Sequence, residues 1–98
     1  MSDLRFEWDP KKDALNRRKH GVSFTEAEIT FADEHALLTE DPEHSVGEDR
    51  FVLLGLSAKL RVLVAVHAYR EDQGVIRIIS ARKATRSERD IYNQRWHT

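Results

Sequence analysis

Three apolar segments in the second half of the chain constrain the fold most. Residues 50–56, 61–70 and 75–82 are apolar and rich in β-branched side chains, and only short polar stretches separate them. Segments of this kind, joined by short turns, are typical of consecutive strands that pair antiparallel. Residues 62–66 are apolar without interruption, which indicates a strand covered on both faces. The sequence therefore predicts a sheet built on three neighbouring strands.

The first half begins with a strand pattern and a well-marked helix. Residues 4–8 alternate apolar and polar side chains, as a short half-buried strand does. Asp9 and Pro10 are typical of a helix start, because Asp caps free backbone amides and Pro loses no needed donor at the first position. Gly21 suits the left-handed residue that ends a helix. A helix is therefore predicted over Pro10–His20.

Two capping boxes predict the remaining helices. In each box a Ser or Thr caps backbone amides, and a Glu three residues later bonds back to the cap. Residues 23–26 (SFTE) open a helix through about Phe31, and residues 85–88 (TRSE) open one over about 86–96. A short strand over 36–39 and a polar loop over 41–49 complete the order. The predicted fold is α+β, with two N-terminal helices and one C-terminal helix on an antiparallel sheet of about four strands.

Composition narrows the class of protein. A length of 98 residues with 40% hydrophobic side chains predicts one globular domain, residues 1–98. The absence of Cys excludes a disulfide framework, a thiol nucleophile and a thiolate metal site. No apolar run reaches the roughly 18–20 residues that cross a bilayer, and residues 1–10 do not resemble a signal peptide. We therefore expect a cytoplasmic protein without a membrane partner.

The formal net charge of −1 conceals an uneven distribution. Residues 1–50 hold 7 basic and 13 acidic side chains, whereas residues 51–98 hold 9 basic and 4 acidic ones. The stretch 26–49 contains nine carboxylates and no Lys or Arg. A basic half fits a polyanionic partner. Mutual neutralisation of the two halves in the fold is an equally open interpretation.

Motif searches exclude several chemistries. The chain has no phosphate-loop, dinucleotide-binding or HExxH pattern. Its five His lack the paired i, i+4 spacing of a metal site, and the acidic loop does not match a calcium loop. Neither a metal nor another cofactor is therefore expected.

The remaining candidates are Arg and His residues on the predicted strands. Strict alternation over 75–82 would place Arg77 on the opposite face from Ser80 and Arg82. His67 interrupts an apolar face of the preceding strand. Arg binds phosphate oxygens in a bidentate fork, and His moves protons near neutral pH. Arg and His on one sheet face would suit RNA cleavage, although an ion pair of Arg77 with a carboxylate such as Glu48 and a structural His67 are alternatives.

The chain resembles the BrnT toxins from about residue 6 to residue 92. The motifs are FEWDPKK at 6–12, KHGVSF at 19–24, GEDR at 47–50 and RIISARKA at 77–84, in the family's order and spacing. The resemblance implies a type II toxin with a RelE-like ribonuclease fold that cleaves RNA and arrests translation. It also implies a BrnA-type antitoxin, which carries a ribbon-helix-helix DNA-binding domain, in a toxin–antitoxin heterotetramer.

The matched motifs, together with side-chain chemistry, select a candidate site. The catalytic candidates are Glu48, Arg50, His67, Arg77 and Arg82. The substrate-binding candidates are Lys12, His20, Ser80, Lys83 and Arg86. We expect the Arg residues to stabilise phosphate charge, and Glu48 or His67 to take a proton from the RNA 2′-OH. A non-catalytic nucleic-acid-binding module and an interaction subunit that grips an acidic partner through the same basic face are the alternatives.

Overall fold

The computed structural model describes residues 4–41, 49–70 and 74–95. In chain order the elements are β1 (Arg5–Glu7), α1 (Pro10–His20), α2 (Phe24–Glu28), a 3₁₀ turn (Ile29–Ala32), β2 (Leu37–Glu40), β3 (Arg50–Leu56), β4 (Val62–Arg70), β5 (Val75–Lys83) and α3 (Arg86–Gln94). This order confirms the predicted α+β class with its two N-terminal helices and one C-terminal helix. In these ranges, no helix has the length and apolar character needed to cross a membrane.

The sheet has five strands in the order β1-β5-β4-β3-β2. Strands β2 to β5 pair antiparallel with their chain neighbours, as the apolar segments predicted. The expectation of about four antiparallel strands is wrong, because β1 adds a fifth strand that runs parallel to β5. Alternation within residues 4–8 reveals a strand but carries no information on its partner, which lies at the other end of the chain.

Local capping explains where the helices begin and end. The Asp9 side chain accepts a backbone N–H at the start of α1, and Gly21 ends that helix with a φ of 69°. The Ser23 side chain caps α2, although the predicted helix through Phe31 is completed by the 3₁₀ turn. Thr85 and Glu88 form both hydrogen bonds of the capping box on α3. These caps act through near neighbours, so short sequence motifs predict them.

Apolar side chains are buried on both faces of the sheet. On the face that α2 covers, here called the α2 face, the core comprises Val22, Phe24, Ala27, Leu53, Leu63, Ala65, Ile78 and Ala81. On the opposite face, here called the α3 face, Tyr92 of α3 packs on Leu54, Val62, Val64 and Ala84. The strands in the middle of the sheet are therefore covered on both sides where these helices lie, as the apolar run 62–66 predicted.

One extra residue in β5 interrupts its pairing with β4. Val66 pairs with Ser80, but the next residue of β4, His67, pairs with Ile78. Ile79 therefore has no opposite partner on β4 and forms a β-bulge. Because side chains in a strand alternate between faces, this insertion reverses the faces of the residues on one side of the bulge relative to strict alternation.

The α1 helix closes the outer edge of β5 where β1 no longer covers it. Asn16 is buried, and its side-chain amide donates to the Ala81 carbonyl at 2.7 Å and accepts the Ala81 N–H at 3.1 Å. The same amide donates to the Val22 carbonyl at 2.8 Å. Asn16 thus replaces the hydrogen bonds of a neighbouring strand, just past the bulge.

Some of the acidic charge of the first half is used in structural ion pairs. The buried Glu26 accepts hydrogen bonds from Arg61 at 2.7 Å and from the Ser57 hydroxyl at 2.6 Å. These bonds, chiefly those from Arg61, hold the pKa of Glu26 below its usual value. Glu7 lies 3.3 Å from Arg70 in a more exposed pair. Both pairs join the acidic half of the chain to the basic half.

Replacing Asn16 tests the closure of the β5 edge. Asn16→Ala would leave the N–H and C=O groups of Ala81 without these bonds, at a cost of about 2–4 kcal/mol in the free energy of unfolding. Urea denaturation followed by circular dichroism measures this loss. The matched control is Asn93→Ala, an exposed Asn in α3. Equal stabilities of the two variants would contradict the role given to Asn16.

Candidate functional site

A row of charged side chains crosses the α3 face at one end of the sheet. In the strand register, Glu7 of β1 lies opposite Arg77 of β5, and Arg77 lies opposite Ala68 of β4. Ala68 in turn lies opposite Arg50 of β3. Residues paired directly across strands share a face, so Glu7, Arg77 and Arg50 lie on the same side. Arg77 and Arg50 are two strands apart, or about 10 Å. Arg50 and Arg77 therefore share one face of the sheet, on strands separated only by β4.

The bulge brings two further candidates to this face. Ser80 and Arg82 pair with residues of β4 that lie on the α3 face, and Arg77 lies on the same side. The expectation that Arg77 faces away from Ser80 and Arg82 is therefore wrong, because strict alternation did not include the extra residue at position 79. Ile78 and Ala81 are instead both buried in the α2-face core.

Part of the α3 face is uncovered around these residues. Tyr92 packs at the end of the face near Ala84, whereas Val52 and Val66 farther along are partly exposed. We call the open region the arginine face, and define it as Arg50, Arg77, Ser80 and Arg82 around a floor of Val52 and Val66. It combines partly exposed cations with an apolar floor.

Arg82 is held by a carboxylate of α3. Its two terminal nitrogens donate to the two carboxylate oxygens of Glu88 at 2.8 and 2.9 Å, in a bidentate fork. These hydrogen bonds from Arg82 are the main reason that the pKa of Glu88 falls to about 2. Glu88 also completes the capping box of α3. Arg82 is thus fixed in orientation, but it shares its charge with Glu88.

His67 lies on the α2 face, away from the arginine face. Its ring is 4.7 Å from the ring of Phe31 in an edge-on arrangement and 6.1 Å from that of Phe51. Burial lowers the pKa of His67 and so favours the neutral imidazole. The expectation of Arg and His on one sheet face is wrong. His67 pairs with Ile78, which faces the α2-face core, whereas Ser80 and Arg82 face the opposite side beyond the bulge.

Three of the substrate-binding candidates meet in a cleft between α1 and β5. The cleft has a volume of about 480 Å³, and Lys12, His20 and Ser80 line it. Arg18 and Lys19 also line this cleft but were not among the candidates. The helical spacing of Lys12 and Lys19, seven residues apart, was the signal that they share a helix face. Ser80 belongs to both regions, so the cleft and the arginine face adjoin at this residue.

Two of the described candidates do not join this arrangement, and a third candidate is not described. Lys83 pairs with Leu63, a core residue of the α2 face, so it lies on the opposite side of the sheet. Arg86 is exposed in the first turn of α3. Glu48 lies outside the described residues. On the arginine face itself, Glu7 is a carboxylate that the sequence analysis missed, because the parallel pairing of β1 with β5 has no local signal.

The His, Asp and Glu side chains of the described residues do not cluster as in a metal site. No three His, Asp or Glu side chains of residues 4–41, 49–70 and 74–95 converge as ligands of one metal ion would. Among the described residues, the carboxylates of Glu7 and Glu88 lie on the same side of the sheet as the guanidinium groups of the arginine face.

Comparisons with known proteins agree with the motifs. The family model described as "Ribonuclease toxin, BrnT, of type II toxin-antitoxin system" matches residues 8–88. The crystal structure of the Brucella abortus ribonuclease toxin BrnT is similar in fold, with a TM-score of 0.62 and 21% sequence identity. That likeness covers 85% of this chain and 99% of the Brucella chain. A comparison with curated proteins finds no match.

The Arg82–Glu88 pair predicts how stability depends on pH. Glu88 has a lower pKa folded than unfolded, so its contribution is complete above about pH 5 and is lost as the pH falls toward 2. Because both side chains are partly exposed, the contribution is about 1 kcal/mol. Urea denaturation of the wild type and Glu88→Gln over pH 2–7 should show a stability difference that shrinks with acid.

The control for this series is Glu34→Gln, which removes an exposed carboxylate. A stability difference between the wild type and Glu88→Gln that stays constant from pH 7 to pH 2 would contradict the assigned pair.

Proposed function

Because this chain belongs to the BrnT family of ribonuclease toxins from type II toxin–antitoxin systems, we propose that it cleaves RNA on the arginine face. The observation that carries the proposal is the β-bulge at Ile79, which gathers Arg77, Ser80 and Arg82 beside Arg50 on one open face. Guanidinium groups are well suited to a phosphodiester, since they offer fixed pairs of donors and keep their charge at any physiological pH.

The cleft between α1 and β5 supplies the binding part of this function. Lys12, Arg18 and Lys19 place three cations along a space of about 480 Å³ that reaches the arginine face at Ser80. Cations along a groove bind a nucleic-acid backbone without regard to base sequence. We assign the phosphates that flank the cut site to this cleft. The exposed Leu15 in its wall offers an apolar surface to an unstacked base.

In the proposed reaction the RNA 2′-oxygen attacks the adjacent phosphorus. A bond forms between the 2′-oxygen and phosphorus, the bond to the 5′-oxygen breaks, and that oxygen takes up a proton. Arg50 and Arg77 stabilise the charge that develops on the phosphate oxygens, and Glu88 orients Arg82 beside them. We propose Glu48 as the base that accepts the 2′-OH proton. Glu7, the register partner of Arg77, is a carboxylate on the same side of the sheet.

His67 has no part in this proposal. It is 4% exposed and lies on the α2 face, so no phosphate on the arginine face can reach its ring. A proton-transfer role for His67 would require RNA to bind on the opposite side of the sheet.

At the level of the cell, we propose that RNA cleavage arrests translation. A BrnA-type antitoxin with a ribbon-helix-helix domain, in a heterotetramer with the toxin, would neutralise it. Expression of the chain alone should stop growth, and co-expression of the antitoxin should restore it. Normal growth of cells that contain the soluble protein would contradict the proposed toxin function.

Single Arg substitutions test the arginine face. Arg77→Ala and Arg50→Ala should each reduce RNA cleavage by about 10²–10³-fold, the usual effect of losing one preorganised transition-state donor. Arg17→Ala is the matched control, because it removes one equally charged side chain that is 58% exposed and pairs with Asp13 on α1. Initial rates on a labelled RNA measure cleavage, and thermal denaturation measures the fold.

Three outcomes separate the interpretations. Slow cleavage with an unchanged melting temperature supports the proposal. Unchanged specific activity in both variants would show that these Arg residues are not catalytic. Salt-sensitive RNA binding without any cleavage by the wild type would indicate a non-catalytic nucleic-acid-binding module instead.

The nucleophile is tested by substrate chemistry. An RNA with one 2′-deoxy nucleotide at the cut site should resist cleavage, and the normal products should end in a 2′,3′-cyclic or 3′-phosphate. Activity should persist in EDTA. Glu48→Gln should lower the rate more than Glu7→Gln, because only Glu48 is assigned the 2′-OH proton. Cleavage of the deoxy substrate at the same position, or loss of activity in EDTA that a divalent ion restores, would contradict this mechanism.

A further inference from the structure

The α2 face carries an apolar groove that the proposed reaction does not use. Two adjoining cavities, of about 290 and 310 Å³, share the ring of Phe31 as a wall. Leu38, Phe51 and Tyr69 line the first cavity, and Ile29 lines the second. We call the two cavities together the apolar groove. It lies on the opposite side of the sheet from the arginine face.

The groove crosses the whole sheet. Its lining includes one or more residues from each strand, in sheet order Phe6, Ile76, His67, Phe51 and Leu38. Four interstrand spacings make this path about 19 Å long. An α-helix of about 13 residues would span it. A groove of this length accommodates a segment of a protein rather than a single side chain.

Large apolar side chains at the groove are exposed. Leu4 is 41% exposed, Tyr69 45%, Ile29 46% and Leu38 56%. Contiguous exposed apolar surface on a small protein marks a contact with another molecule. In free water these four side chains are unfavourably solvated, so a partner that covers them gains their transfer free energy.

The charges around the groove select the kind of partner. The described residues that line the groove include one acidic residue, Glu28, and no Lys or Arg. Glu40 is the register partner of Phe51, so it lies on the same face at the exposed edge strand β2. A basic segment complements this rim. A second copy of the chain would bring the same acidic rim against it, which like-charge repulsion disfavours.

We propose that the apolar groove is the docking site for a basic, amphipathic segment of the antitoxin, with one apolar anchor in each cavity beside Phe31. This inference rests on the proposed function in one respect, that the partner is the antitoxin. Because the groove and the arginine face lie on opposite sides of the sheet, substitutions in the groove separate antitoxin binding from RNA cleavage.

The test introduces a positive charge at exposed apolar side chains of the groove. Leu38→Lys and Ile29→Lys each add an ammonium group to the groove, which removes an apolar contact and repels a basic segment, and Leu60→Lys in the turn before β4, where Leu60 is 80% exposed, is the matched control. Calorimetric titration with purified antitoxin should give an affinity about tenfold or more weaker for both groove variants. The control should bind like the wild type, and all four proteins should cleave RNA at the same rate.

The outcomes distinguish this inference from the proposed function. Wild-type antitoxin affinity in both groove variants would overturn the docking site, and melting curves verify that each variant is folded. A free wild-type dimer that Leu38→Lys converts to monomers, with antitoxin affinity unchanged, would assign the groove to self-association and also overturn the inference. Absent RNA cleavage by the wild type would remove the proposed activity, while weaker antitoxin binding by the groove variants would still support the docking site.

Discussion

The β-bulge at Ile79 shifts β5 by one residue against β4, and side chains in a sheet alternate with a period of two. This shift lets Ile78 and Ala81 both enter the α2-face core, while Arg77 and Arg82 both face the opposite side. With strict alternation, either Ile78 or Ala81 would face away from the core, and either Arg77 or Arg82 would face into it. A buried guanidinium without a partner costs several kcal/mol. Asn16 then bonds both backbone groups of Ala81 and holds the segment that follows the bulge.

The two faces of the sheet divide the chemistry of the molecule. The arginine face gathers cations beside a cleft that carries further Lys and Arg residues, whereas the apolar groove on the α2 face is bordered by carboxylates. Part of the acidic charge in the first half of the chain forms ion pairs and hydrogen bonds within the fold. Glu26 pairs with Arg61, and Asp33 accepts the Tyr92 hydroxyl at 2.6 Å, so these acidic residues stabilise the fold. Arg50 and Arg77 lie on the α3 face.

Short sequence motifs predicted the parts of the fold that depend on residues close together in the chain, namely the helix caps and the antiparallel strands. Sequence motifs located the caps at Asp9 and Gly21, because each cap bonds to residues a few positions away. The apolar segments located strands β3 to β5, because each pairs with the next strand in the chain. The parallel pairing of β1 with β5 joins the two ends of the chain and left no local trace. The bulge depends on how β5 aligns with β4, so alternation within β5 misplaced Arg77. The motif resemblance selected Arg50 and Arg77, and side-chain chemistry added His67 to the candidates. Neither signal states which face of the sheet a residue occupies, and the structure places His67 on the other face from the two Arg residues.

The central claim is that RNA binds the arginine face and the adjoining cleft. Nuclear magnetic resonance measures this directly, by titration of the ¹⁵N-labelled protein with an RNA oligonucleotide that a 2′-deoxy cut site makes resistant to cleavage. The account predicts that the backbone signals that shift most cluster at Arg50, Arg77 and Ser80 and along α1. A cluster of shifts around His67 and Leu38, with the arginine face unchanged, would contradict it.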